Sequence, residues 1–557
     1  MICAYFPSFF SQYKKEEECL TGKRTVALFC VFSLLFTLLI GRVLIIDNRS
    51  DYVTAAQGHS TYTLRLAQTR GKIYDRNGSV LAGDCYAYKA VVIPSPDTAA
   101  SLLCVLSADE TQSAESLQKI GDRLKGNFPF AVEVPDGSCE SEGITVYRVP
   151  KRYSDSALAL HLVGSCTENG GQNGIEKAYD QWLSDASGEL TVTCRINAAG
   201  KSLDGTRQEV TDTTANSDRG VMLTIDSRIQ NIAETAAARH ITSGAVIVAD
   251  VDSGEIVAMV SLPAYRRSDV AAVLHDESAP LINRALLAYN AGSVFKPVVA
   301  AAALEHGLDP EELYECEGTV RAGSLTMGCI NHTAHGSVNL NDAIAHSCNT
   351  YFIHTAQRIG GGAILDMAQN LGFGSATQLA SRYAASAGTL PAPSSLSLPA
   401  ALANFSFGQG TLTVTPVQVT GMMLAIARGG EYIEPTVIKG LTDGHGHMLS
   451  PPVQQETRRA MSRQTAERIG DCLRSAVLEG TAKAGASEKI TSAAKTGTAE
   501  TGIIRNGKAI NQAWYAGYFP YEDPRYVCVV LAEGGTSGGG SAGPVFQEIA
   551  NRMSVLL

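Results

Sequence analysis

The sequence predicts an α+β protein, and three observations carry the prediction. Within residues 216–557, apolar strand-like runs open and close the stretch while helical periodicity fills the space between them. Residues 47–215 alternate short strand and helix fragments in polar surroundings, an extended α/β module of their own. One long apolar run, residues 26–46, precedes both. Strands at the two ends of a module pair with each other and leave the helices to cover them, so the expected core is an antiparallel sheet under helices.

Residues 1–25 are a short polar start that includes Lys14, Lys15, Lys23 and Arg24. From Val26 to Ile46 the chain is long enough to span a bilayer as a helix. Arg42 lies near one end, where its side chain can reach the interface. Basic residues ahead of the run outnumber Arg42 and Arg49, which predicts a cytoplasmic N-terminus and places everything after residue 46 outside the membrane. A cleaved signal peptide is the competing reading. The run exceeds an ordinary signal core and the nearest small-residue site, around Ala55, lies well past its end, so an uncleaved anchor is expected.

In the 47–215 module, Asn77-Gly78 supplies the positive φ of a tight hairpin between an Ile73/Tyr74 arm and a Val80/Leu81 arm. Residues 98–145 are polar, with helix and strand fragments that match no named pattern. Thr191 to Gly220 is rich in Thr, Asp, Asn and Ser, which marks a module boundary near residue 215. Val221 to Asp226 then reads as a strand, and Ser227 to Arg239 as a helix capped by Asp226. Ala245–Ala249 and Ile256–Val260 flank Asp252-Ser253-Gly254 as a hairpin of buried strands. Further strands are expected at residues 490–499, 513–519 and 526–532, and a final helix at residues 543–556.

At 557 residues and 45% hydrophobic content the chain can fill two or more cores. A net charge of -10 without any dense Lys/Arg block excludes a nucleic-acid partner from the expectation. Its 13 cysteines contain no Cys-x-x-Cys pair and no Cys/His cluster of zinc-ligand spacing, so neither metal nor cofactor is expected. Cys316 and Cys329 either pair outside the cell or stand as reduced thiols.

The chemistry concentrates in three motifs. In Ala291-Gly292-Ser293-Val294-Phe295-Lys296-Pro297, a glycine turn enters a helix whose apolar run continues to Leu304. Ser293 and Lys296 stand on one helix face, so a lysine with a depressed pKa can take the serine proton. The same spacing recurs at Ser11/Lys14 and Ser116/Lys119 in charged surroundings that read as solvated surface. What distinguishes Ser293 is Ser347-Cys348-Asn349, set between helical patterns at Asn341–His346 and Tyr351–Ile359, and Lys495-Thr496-Gly497-Thr498 on a strand of small and polar residues. Ser-x-Asn alone is weak, because Ser337-Val338-Asn339 also fits; Lys-Thr-Gly occurs once.

The ordered trio resembles the signature of penicillin-binding proteins and active-site serine β-lactamases. Arg70-Gly71-Lys72-Ile73-Tyr74-Asp75-Arg76-Asn77-Gly78, followed by Leu81-Ala82, resembles the box that opens the N-terminal module of class B penicillin-binding proteins. Arg152-Tyr153, His161 to Gly164 and Gly174-Ile175-Glu176 resemble later boxes of that module, and Gly408-Gln409-Gly410 with Thr415 to Gln418 another. The resemblance implies a five-stranded sheet with helices on both faces and the site between sheet and helices. It implies that Ser293 attacks the penultimate D-alanine carbonyl of a D-Ala-D-Ala stem peptide with Lys296 as base. Ser347 would relay the proton and Asn349 would position Lys296. Lys495 would depress the pKa of Lys296 and, with Thr496 and Gly497, bind the substrate, while the amides of Ser293 and Thr498 form the oxyanion hole. Implied partners are peptidoglycan stem peptides, β-lactam antibiotics and a polytopic membrane glycan polymerase. Rival readings are a D,D-carboxypeptidase, a β-lactamase or β-lactam sensor, and a silent cell-wall scaffold. Cys348 is expected to be structural, and Ser537-Gly538-Gly539-Gly540 to lie near the site as a mobile segment.

Overall fold

The computed structural model describes residues 7–47, 60–107, 113–154, 157–203, 206–216, 219–267, 270–450, 455–505 and 508–557. They fall into two compact units: Met1–Ala67 with Ala87–Val149 and Glu189–Asp212, and Gln68–Tyr86 with Pro150–Gly188 and Thr213–Leu557. The 47–215 span is thus distributed over both.

The first unit begins with helix α1 (Pro7–Asp47). Within it, Gly22–Ile46 is 25 residues long and includes an 18-residue stretch with a mean hydropathy of 2.5, long and apolar enough to cross a membrane. Its Val, Leu, Ile and Phe side chains from Val26 to Ile46 are exposed, an apolar belt that water penalises and lipid does not. The stretch without a named pattern forms helices Pro96–Ser107 and Ala114–Leu124, and the sheet Phe130–Val134, Cys85–Val92, Ile144–Lys151. Ala90, Val92, Leu102, Leu106 and Phe130 share one small core there. A second three-stranded sheet joins Thr61–Thr69, Gly188–Arg195 and Glu209–Asp212.

In the second unit the expected hairpin forms, with Ile73 opposite Ala82 and Tyr74 opposite Val80. Gly78 takes φ +85° at its tip. Asp75, buried, stabilises the turn by accepting from the amides of Asn77 (2.9 Å) and Ser79 (2.8 Å) through Oδ1. Its other oxygen accepts from Ser227 Oγ at 2.7 Å and ties the hairpin to the start of helix α2 (Ser227–His240), which Asp226 caps as expected. Three of the boxes converge on Glu176, whose side chain is fully buried. Arg70 Nε lies 3.3 Å from its carboxylate, Arg152 Nε donates to it at 2.8 Å, and so does Tyr153 OH at 2.8 Å.

The core sheet contains β1 (Gly244–Asp250), β2 (Ile256–Leu262), β3 (Ala493–Arg505), β4 (Lys508–Phe519) and β5 (Tyr526–Glu533). Their order is β2-β1-β5-β4-β3, all antiparallel. Alternation explains why these strands are apolar throughout. Val246, Val248, Val260, Val530 and Tyr515 face α2 and the C-terminal helix α3 (Gly543–Met553) with Ala233, Phe546 and Ile549. Ala245, Ile247, Met259, Leu531 and Trp514 enter the larger core on the opposite face. Burying each such Val, Leu or Ile contributes roughly 1.5–3 kcal/mol.

Several boundaries differ from expectation, among them the start of β4 at Lys508 instead of 513 and the end of α3 at Met553 instead of 556. The strand placed at 490–499 starts at Ala493 and runs to Arg505, because its pairing with β4 continues past the motif to Arg505↔Lys508. The helical pattern Tyr351–Ile359 extends over Asn349–Asn370 across Gly360, which takes φ 80°. The chain bends at Gly360 and helix resumes beyond it.

Candidate active site

Ser293 lies in a 3-10 turn, Gly292–Phe295, that feeds the α-helix Lys296–Glu305. Pro297 fits the first turn, where its missing N–H leaves no bond unmade. Gly292 holds φ +57°, and a Cβ there would come within 2.8 Å of Thr498 O. Its amide donates to Gly408 O at 2.8 Å. The Gly408-Gln409-Gly410 box therefore supports the Ser293 turn, in addition to leading into the Pro416–Ala427 helix through a Thr415/Gln418 capping box.

Lys296 is fully buried. Its Nζ donates to Ser347 O (2.6 Å) and Asn349 Oδ1 (2.7 Å) and lies 3.1 Å from Ser347 Oγ. The Phe352 ring centroid is 5.4 Å away. Burial pushes its pKa down from 10.5 to about 7. Lys495, also fully buried, reaches the same Ser347 Oγ from β3 at 3.1 Å and donates to Thr496 O at 3.1 Å. Its pKa is held well below the lysine range, by burial first and by the Lys296 charge second. The depression of Lys296 expected from Lys495 is carried by desolvation instead.

Ser347 sits between the two amines with φ 59°. Cys348 is the N-cap of the helix that begins at Asn349, so the motif projects from a helix start. Asn349 Nδ2 donates to Gly328 O at 3.0 Å, which fixes which amide atom faces Lys296. Lys296, Ser347, Asn349 and Lys495 thus form one hydrogen-bonded group. Ser293 adjoins it by chain position, half-exposed, and its hydroxyl has no hydrogen bond among the described residues. The contrast with Lys119 is sharp: that side chain is 74% exposed and paired with Glu115 at 2.7 Å.

The rest of β3 packs on the nucleophile turn. A Cβ on Gly497 would fall 3.0 Å from Val294 N and 3.1 Å from Ala291 O. Thr496 Oγ1 donates to Thr481 Oγ1 at 2.7 Å, and Thr498 Oγ1 accepts from Gly538 N at 3.2 Å. Trp514 Nε1 donates to Asn290 O at 2.9 Å. Thr481 and Trp514 were not among the expected site residues, whereas Gly538 belongs to the glycine-rich stretch expected near the site. The Gly538–Ala542 segment is a π-helical turn, and a Cβ on Gly538 would lie 2.3 Å from Trp514 O, so close approach explains the glycine.

A buried lysine with a depressed pKa one turn from a serine at a helix entry, with a second buried lysine on the neighbouring strand, is an arrangement chemically suited to acyl transfer through a serine. The family of penicillin-binding protein transpeptidase domains matches residues 244–551. The chain belongs to that family and is a class B penicillin-binding protein, a D,D-transpeptidase. It is 24% identical over 617 residues to the peptidoglycan D,D-transpeptidase MrdA of Haemophilus influenzae, covering 96% of this chain and 92% of the relative. The crystal structure of the D,D-transpeptidase domain of a peptidoglycan glycosyltransferase from Eggerthella lenta is 26% identical, with TM-score 0.63, over 88% of this chain and 99% of that one. A chain of a peptidoglycan synthase complex that coordinates polymerisation and crosslinking shares the fold, with TM-score 0.67 and 24% identity over 95% and 98%.

Proposed function

We propose that this protein is a membrane-anchored enzyme that cross-links peptidoglycan through an acyl-enzyme on Ser293. Ser293 Oγ bonds to the carbonyl carbon of the penultimate D-alanine of a stem peptide. Lys296, about half neutral near pH 7, takes the hydroxyl proton. The peptide C–N bond breaks, and Ser347 Oγ, within 3.1 Å of both lysines, relays a proton to the departing D-alanine amine. The amides of Ser293 and Thr498 receive the developing oxyanion. Lys495, Thr496 and Gly497 offer charge and strand edge to the terminal carboxylate. An amine from a neighbouring stem peptide then attacks the ester, forms the cross-link and frees Ser293. β-Lactams enter as cyclic amides that acylate the same oxygen.

The observation that carries this reading is the burial of Lys296 with Ser347 and Asn349 as fixed hydrogen-bond partners, one helical turn from Ser293. The apolar α1 serves as anchor with its start in the cytoplasm and the catalytic unit outside. The partner is a polytopic glycan polymerase, a reading supported by the fold shared with a synthase-complex chain. The test is acylation of the full chain in detergent by a fluorescent penicillin, followed by intact mass over hours. A persistent adduct lost in Ser293→Ala is the expected result. Rapid turnover to hydrolysed drug would establish a β-lactamase instead, and no adduct on folded protein a scaffold.

A further inference from the structure

Between the helix Arg463–Leu478 and β3, the chain walls a surface cavity of about 390 Å³ that shares no residue with the Ser293 site. Small-molecule sites span about 300–1,000 Å³. The wall is fixed by its own bonds. Ser487 Oγ donates to Asn551 Oδ1 of α3 at 2.6 Å and accepts from the amides of Lys489 and Ile490, each at 3.1 Å. Gln547 Nε2, also on α3, donates to Ala486 O at 2.7 Å. Val477, buried, and Ile490, half-buried, give the cavity an apolar side.

Arg474, Lys483 and Lys489 give it a cationic side. Arg474, half-buried, donates through Nη1 to Ser492 O at 2.9 Å and lies 5.6 Å from the Tyr521 ring centroid. None of the three cations forms a salt bridge among the described residues, and Glu488 is the one carboxylate in the lining. Glu522 stands outside the lining and accepts from Thr491 Oγ1. Two exposed lysines alone would be ordinary solvated surface. What sets this cavity apart is Ser492, which belongs to the lining, is 1% exposed, and has a hydroxyl without a hydrogen-bond partner. Burying an unpartnered hydroxyl costs folding free energy that alanine, the residue at 493 and 494, does not incur.

We propose that this cavity binds a phosphate monoester whose organic group lies against the apolar side. Three cations against one carboxylate leave two positive charges in excess. A phosphate monoester carries about -1.5 to -2 at pH 7, which matches that excess, whereas a carboxylate would leave part of it uncompensated. Arginine meets phosphate oxygens through planar paired donors and lysine meets them as a point charge, so the cation set suits the group. Inorganic phosphate would leave Val477 and Ile490 uncovered. The Ser492 hydroxyl gains the partner that the protein alone withholds from it. The site adjoins the root of β3, since Ser492, held through its carbonyl by Arg474, stands three residues ahead of Lys495.

The test titrates the full chain in detergent with phenyl phosphate, read by calorimetry and by hydrogen exchange. Saturable binding is expected, with slowed exchange over residues 483–492 and an affinity that falls as salt is added. Lys483→Ala and Lys489→Ala, whose native side chains are exposed, should melt like wild type yet bind about 10–100-fold more weakly, the span for one hydrogen bond to a charged group. Ser492→Ala should melt at or above the wild-type temperature and also lose affinity. Benzoate and inorganic phosphate should bind more weakly than phenyl phosphate. Nanodiscs of phosphatidylcholine with and without phosphatidic acid separate the two sources of such a group: competition by phosphatidic acid assigns the site to a lipid headgroup, and undiminished phenyl phosphate binding assigns it to a soluble ester. Folded wild-type protein that shows no saturation at millimolar phenyl phosphate overturns the inference. So does equal affinity in wild type and both lysine variants, or benzoate bound as tightly as phenyl phosphate.

Discussion

Gly292 and Gly408 meet main chain to main chain. The amide of Gly292 donates to Gly408 O at 2.8 Å, and a Cβ on Gly408 would lie 1.9 Å from Gly292 O. Gly408 also takes φ 83°, a conformation that L side chains rarely adopt. Gly408→Ala should therefore displace the nucleophile turn. We expect a stability loss of more than about 1 kcal/mol and a large loss of acylation rate in the fraction that folds, read by thermal melting and penicillin labelling side by side. Unchanged labelling in the variant would show that the contact is incidental to the turn.

The Lys296 amine has to be neutral to accept a proton. With its pKa at about 7, acylation should rise with pH through that value and level off above it. A stopped-flow series on the wild type checks this, and a profile still rising near the ordinary value of 10.5 would exclude Lys296 as the base.

The same shift links to stability with a definite sign. Between about 7 and 10.5 the unfolded chain holds a proton at Lys296 that the folded chain has lost, so stability rises with pH across that window. Below 7 both states are charged and the burial penalty is present in full. Lys296→Met should flatten this part of the stability curve relative to wild type, measured by denaturant unfolding at several pH values. Lys495, shifted in the same direction, keeps a residual slope in the variant.

Replacing the base should cost more than replacing the relay. Lys296→Ala is expected to slow acylation about 10²–10⁴-fold, within the range for general-base catalysis. Ser347→Ala should cost less, because Asn349 and Ser347 O still hold the amine. Intact-mass time courses rank the two, and an equal or larger effect at Ser347 would make it the principal proton acceptor.

Glu176 offers a test away from the chemistry. Its carboxylate is fully buried against Arg70 and Arg152, so Glu176→Gln leaves Arg152 without its counter-charge and Arg70 with Asp180 alone. Breaking a buried pair in this way typically costs about 3–5 kcal/mol. The variant should melt far below wild type while its folded fraction labels with penicillin to the same stoichiometry.

Much of this was legible in the sequence, for identifiable reasons. Ser293, Lys296, Ser347, Asn349 and Lys495 announce themselves because proton transfer restricts which residue types can serve. The sheet strands were visible because burial on both faces leaves an unbroken apolar run, as in Ala245–Ala249. Thr481 was not legible: it touches Thr496 only because the helix Arg463–Leu478 delivers its following loop to that strand. Cys316 and Cys329 were legible only as a possible pair, and their sulfurs stand 3.8 Å apart, unbonded; the nearness of His335 was hidden because short strands and turns far apart in sequence bring it there. The residue 98–145 stretch had no motif to read, and its elements emerge only from a shared core at Leu102, Leu106 and Phe130.

The nucleophile turn is walled largely by bare peptide. Any side chain at Gly292, Gly408, Gly497 or Gly538 would strike main-chain atoms, at 2.8, 1.9, 3.0 and 2.3 Å respectively. No smaller amino acid exists, so every missense change at these four codons adds bulk where none can be absorbed. Heritable variation that tunes this enzyme is therefore steered outward, to the rim that includes Thr481, while the wall itself is mutationally brittle.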